Sequence, residues 1–60
     1  MFTEEMVEHT YGVITENEDV FHIDFAIEMT LLEFGFDVDD AEIVSNYHKF
    51  YNIKSVEIFG

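Results

Sequence analysis

From Val20 onward large apolar residues occupy every second position. Phe21, Ile23, Phe25, Ile27, Met29 and Leu31 fall on one side, with His22, Asp24, Ala26, Glu28 and Thr30 between them. Alternation of period two puts successive side chains on opposite faces of a pleated backbone, so it predicts a half-buried strand over residues 20–29. A helical period competes in the same stretch. Ala26 to Glu33 is made of good helix formers, and Phe25, Met29, Leu32 and Phe36 also fit a helical stripe, which leaves 24–34 open between helix and strand.

The flanking segments favour the strand. Thr10-Tyr11-Gly12-Val13-Ile14-Thr15 is β-prone, and Glu16-Asn17-Glu18-Asp19 is a polar break of hairpin-loop length. Beyond Gly35, the run Asp37-Val38-Asp39-Asp40 supplies capping oxygens for a helix from about Asp40 to Phe50, with Ile43, Tyr47, Phe50 and Tyr51 on one face. Asn52 can close that helix, and Ile53 to Phe59 reads as a last strand centred on Val56 and Ile58. The expected fold class is therefore α+β. A β-hairpin, one helix and a C-terminal strand form a ββαβ domain with a mostly antiparallel sheet.

No repeat, proline or Gly/Ser linker divides residues 1–60, so they are read as a single domain. A chain this short buries only about 60% of its unfolded surface, and with no cysteine it has no disulfide to assist. The core material is adequate all the same: 48% of the residues are hydrophobic and 17% aromatic, which separates this chain from a disordered acidic tail. No apolar run approaches the length of a membrane span, and Glu4 and Glu5 stand where a secretion signal needs basic residues. A cytoplasmic location is expected.

Fourteen Asp and Glu against two Lys give a formal net charge of -12. Nucleic acids and anionic membranes reward Lys and Arg, so direct binding to either is not expected, and a basic protein partner is. Acid also keeps small apolar proteins in solution, but a net charge of roughly 2 to 8 suffices for that.

Cofactor, metal and catalytic chemistry find no footing. His9, His22 and His48 are dispersed without ligand spacing. Counted from Asp37, the sixth and twelfth positions of a calcium loop are Glu42 and His48 where Gly and Glu are needed, and helix capping explains the aspartates. There is no thiol nucleophile, phosphate-binding Gly-rich loop or triad context, so no enzyme activity is expected.

If the hairpin loop centres on Asn17 and Glu18, Tyr11 lies opposite Asp24, Val13 opposite His22 and Val7 opposite Glu28. That pairing leaves a strip of Val7, Tyr11 and Val13 beside Asp24 and Glu28. An apolar strip rimmed by charge suits a protein interface, or is covered by the N-terminal segment or by a second subunit in a homodimer, and a one-residue slip reverses the faces. A compact chain of this length is roughly 27 Å across, so its charge amounts to about one per 2.2 Å, near the one per ~1.7 Å of duplex DNA.

In size, charge and lack of cysteine the chain resembles the small acidic inhibitors of bacteriophages and mobile elements, which offer carboxylates in place of phosphates. No motif carries the resemblance and it assigns no residue. The leading expectation is a small acidic inhibitor and DNA mimic that occupies the nucleic-acid-binding surface of a basic partner. Glu16, Glu18, Asp19, Asp24, Glu28, Asp37, Asp39, Asp40 and Glu42 would engage its cations, with Tyr11 as apolar anchor. The alternative is an adaptor or assembly protein that binds through the apolar strip, with acid only for solubility.

Overall fold

The computed structural model describes residues 2–16 and 23–60, and every regular element among them is an α-helix. The elements are α1 (Glu4–Glu16), α2 (Ile23–Glu33) and α3 (Ala41–Phe59). The expected α+β class is thereby overturned: the described residues contain no strand, and the hairpin and the C-terminal strand are both replaced by helix. Of the proposed hairpin loop, residues 16–19, positions 17–19 lie outside the described part, as do the first three residues of the expected strand, 20–22.

Burial shows why the alternation misled. On α2 the buried residues are Ala26, Ile27, Thr30 and Leu31, the i, i+1, i+4, i+5 set of one helical face. Ala26 and Thr30, which a strand would turn to solvent, are 0% exposed, whereas Phe25 and Met29, which a strand would bury, are 51% and 41% exposed. The alternation is real, but α2 is apolar on both its inner and outer faces, so period two was satisfied by residues that do different jobs. Small side chains at Ala26 and Thr30 let the neighbouring helices approach.

Local signals set the helix ends. Thr3 Oγ1 accepts from the Met6 amide at 3.4 Å at the start of α1, where Glu4 and Glu5 also suit the positive end of the helix dipole. Met6, Val7 and Thr10 then form its buried face, overriding the β-propensity of Tyr11, Val13 and Ile14. α2 stops at Gly35, whose φ of 86° is the left-handed conformation that glycine adopts without penalty. Its amide donates to Leu32 O at 3.1 Å and that of Phe36 to Leu31 O at 2.8 Å, the paired bonds of a Schellman stop. Asp40 caps α3, its Oδ1 accepting from the amides of Glu42 (3.0 Å) and Ile43 (3.4 Å).

α3 occupies the segment expected for a helix and runs on through the expected strand to Phe59. Residues 53–59 have no strand beside them among the described residues, so helix is the conformation that satisfies their backbone groups internally. Continuing it also brings Ile58 to the core and stacks Phe59 on Tyr11, ring centroids 3.9 Å apart.

The chain runs up, down and up. His9 meets Phe34 and Thr10 meets Thr30, so α1 and α2 are antiparallel; Phe2 meets Tyr47 and Phe50 while Tyr11 meets Phe59, so α1 and α3 run in the same sense. Met6, Val7, Ile27, Leu31, Tyr47 and Tyr51 make the core. At its centre each helix contributes one hydroxyl: Thr10 Oγ1 lies 2.6 Å from Thr30 Oγ1 and 2.8 Å from the Tyr47 hydroxyl.

Candidate protein-binding surface

Asp and Glu among the described residues are all exposed, and most of them fall into groups set by the helix ends. Phe2 packs 5.4 Å from Phe36, which brings the start of α1 beside the α2–α3 connection. Glu4, Glu5, Glu33, Asp37, Asp39, Asp40 and Glu42 therefore gather at one end of the bundle. Glu16 and Asp24, at the end of α1 and the start of α2, lie at the other end, and Glu28 stands midway along α2. The described carboxylates named from the sequence as partner contacts are thus divided between the two ends of the bundle and the middle of α2. Glu18 and Asp19 lie outside the described residues.

The end-cluster is held by folded backbone. Asp37 Oδ1 accepts from the Asp39 amide at 2.9 Å and closes the turn, while Asp40 caps α3. These two carboxylates carry local structure as well as charge, whereas Asp39 and Glu42 project from it. Among the described residues charge compensation is sparse: Lys54 Nζ is 3.4 Å from Glu57 Oε1, and His48 Nδ1 is 3.6 Å from Asp24 Oδ1 across the α2–α3 interface.

The strip of Val7, Tyr11 and Val13 does not exist as a surface. Val7 is fully buried in the core, Val13 is half-buried, and Tyr11, 41% exposed, lies flat on Phe59. The apolar surface is on α2 instead, where Phe25, Met29 and Leu32 follow one another at i, i+4 and i+7, with Leu32 61% exposed. Asp24 and Glu28 border this stripe on one side and Glu33 on the other, giving an apolar centre with an acidic rim. The helical stripe of Phe25, Met29, Leu32 and Phe36 was visible in the sequence, but the strand reading preferred there put Phe25 and Met29 on the core side and so hid their exposure.

Beside Glu28 a groove of about 550 Å³ opens between α2 and the first half of α3. Val38, Ala41 and Val44 line it together with Asp39, Ser45, His48 and Lys49. No group of three or more His, Cys, Asp or Glu among the described residues is placed to hold a metal ion, and none of the described helices is long and apolar enough to cross a membrane. Among titratable groups in the core, burial pushes the Tyr47 phenol above its ordinary 10.0, opposed by the Thr10 hydrogen bond and reinforced by Tyr51. Burial raises Tyr51 as well, with Tyr11 adding to it.

No protein-family model matches this chain, and comparison with curated proteins and with solved structures finds no match either.

Proposed function

We propose that the protein is a stoichiometric inhibitor that occupies the nucleic-acid-binding surface of a basic partner protein. The observation that supports this reading most is the carboxylate group at one end of the bundle, exposed, largely without cations of its own, and fixed by the Asp40 cap and the Phe2–Phe36 contact. Carboxylates set in place by a folded scaffold meet Lys and Arg without the ordering entropy that a disordered acidic tail would lose. Opposite charge steers the encounter, and the α2 stripe of Phe25, Met29 and Leu32 supplies the apolar anchor that charge alone lacks.

The test is binding to a basic protein captured from the native cell extract, with nucleic acid added as competitor. Neutralising the projecting carboxylates with Asp39→Asn and Glu42→Gln, while leaving the turn-forming Asp37 and Asp40 intact, should weaken binding by roughly tenfold, mainly through slower association. Met29→Ala with Leu32→Ala should instead speed dissociation.

The exposed α2 stripe also favours a second reading, an adaptor that binds through apolar contact alone. A complex that persists at high salt and is undisturbed by saturating nucleic acid would replace the inhibitor with the adaptor.

A further inference from the structure

Residues 43–56 contain both lysines of the chain, Lys49 and Lys54, and not one Asp or Glu. In a molecule of net charge -12 this places most of α3 outside the acidic surface. The inward side of α3 is defined by Ile43, Val44, Tyr47, Phe50, Tyr51 and Ile58. At about 100° per residue Val56 stands opposite that side, Lys49 and Ile53 lie beside Val56, and Asn46 and Glu57 follow on the same flank as Ile53. Ile53 is 61% exposed and Val56 66%.

We propose that this face pairs with the same face of a second copy, as an antiparallel α3–α3 contact centred on Ile53. In such a pair, a residue a given number of positions before Ile53 lies beside the residue the same number after it. Lys49 and Glu57 are symmetric about Ile53, so Lys49 meets Glu57 of the partner subunit, and the two-fold axis repeats the ion pair. Ile53 packs on its own symmetry mate, and Val56 closes the apolar centre on either side. Glu57 is exposed and its present partner Lys54 is on the same helix, so it is within reach of both cations.

Charge selects this face over the other exposed apolar face. Self-pairing through α2 would set Asp24, Glu28 and Glu33 against their own copies, whereas the α3 contact opposes unlike charges. It also keeps the carboxylate-rich ends apart: Ala41 begins α3, so at ~1.5 Å per residue each end projects about 18 Å from the axis in opposite directions. The resulting separation of about 36 Å is several Debye lengths at physiological salt. Two apolar residues per copy make a small centre, short of the ~1,000 Å² typical of a lasting interface, so the dimer is weak and depends on concentration.

Sedimentation equilibrium from micromolar to millimolar protein tests this, with a monomer of 7.1 kDa and a dimer of twice that mass. Ile53→Asp or Val56→Asp should weaken dimerisation by roughly tenfold or more while circular dichroism stays helical. Ile53→Ser gives a milder version should the aspartate disturb the helix. Lys49→Glu and Glu57→Lys should each weaken the dimer, and the two together, which restore opposite charges across the axis, should recover it. Met29→Asp should leave it unchanged, because α2 takes no part. A monomer throughout the range, a dimer indifferent to the Ile53 and Val56 variants, or a double charge swap without recovery would each overturn the proposal. None of these outcomes bears on inhibition of a basic partner, which is tested through α2 and the end-cluster.

Discussion

Thr10, Thr30 and Tyr47 set a proton count that fixes how each may be replaced. Thr10 also contacts Met6 O at 3.1 Å and Thr30 contacts Ala26 O at 2.9 Å, so three hydroxyl protons serve four contacts. One threonine must turn its proton away from its own helix carbonyl to bridge the 2.6 Å gap between them. Removing the Tyr47 hydroxyl leaves both threonines with partners, so Tyr47→Phe should cost only about 1 kcal/mol. Thr10→Val keeps the shape but strands a buried phenol, and should cost more, about 1–3 kcal/mol. Denaturant titrations across pH measure both effects together. The folded phenols of Tyr47 and Tyr51 titrate above 10.0 while the unfolded ones titrate near it, so the stability they confer is whole below that pH. It declines as pH rises through the raised values. In Tyr47→Phe the alkaline decline should shrink to the share of Tyr51, and equal declines in the two proteins would contradict the assignment. None of this triad was legible in the sequence, because a Thr on an apolar helix face looks the same whether it faces solvent or another hydroxyl.

At the scale of elements, two glycines in unlike settings give opposite expectations for one substitution. Gly12 lies inside α1 with ordinary helical backbone, and a Cβ there meets nothing within 4 Å. Gly12→Ala should therefore raise stability by about 0.5–1 kcal/mol through helix propensity and a more restricted unfolded chain. Gly35 also has room for a Cβ, but its φ of +86° opposes one, so Gly35→Ala should lower stability by roughly 1 kcal/mol. Thermal melts of the two variants would show midpoints moving apart, and a shift in the same direction for both would refute the reading of the α2 stop. Two helix ends were legible: the aspartates before α3 and the glycine after α2 are local chemistry, decided by residues a few positions apart. The start of α1 at Thr3-Glu4-Glu5 was not read as one, and Asn52 does not close α3, which runs on to Phe59. What lay between the ends was not legible, since α2 is apolar on both its inner and outer faces and α1 mixes β-prone residues into a helical face.

At the scale of the molecule, charge and shape act together. The Cα extents are 26 × 25 × 15 Å, so a net charge of -12 sits on a thin body with few compensating pairs among the described residues. Screening should relieve its self-repulsion, and the melting midpoint should rise between low and moderate salt. A flat or falling midpoint would mean that the carboxylates are already compensated locally, and would count against their being free for a partner.

The sequence by itself determined the charge, the absence of covalent staples, the cap of α3 and the supply of apolar material, because each is a matter of composition or of neighbours along the chain. Only the tertiary structure decided which apolar residues are core. Phe25 and Ile27 are alike in the pattern, yet one is half exposed and the other has no exposure, because the buried face of α2 is chosen by the small Ala26 and Thr30 that allow α1 and α3 to close on it. The same choice fixed which carboxylates share an end. Their grouping follows from Phe2 meeting Phe36, a contact between residues far apart in the chain, for which neither period nor composition carries a signal.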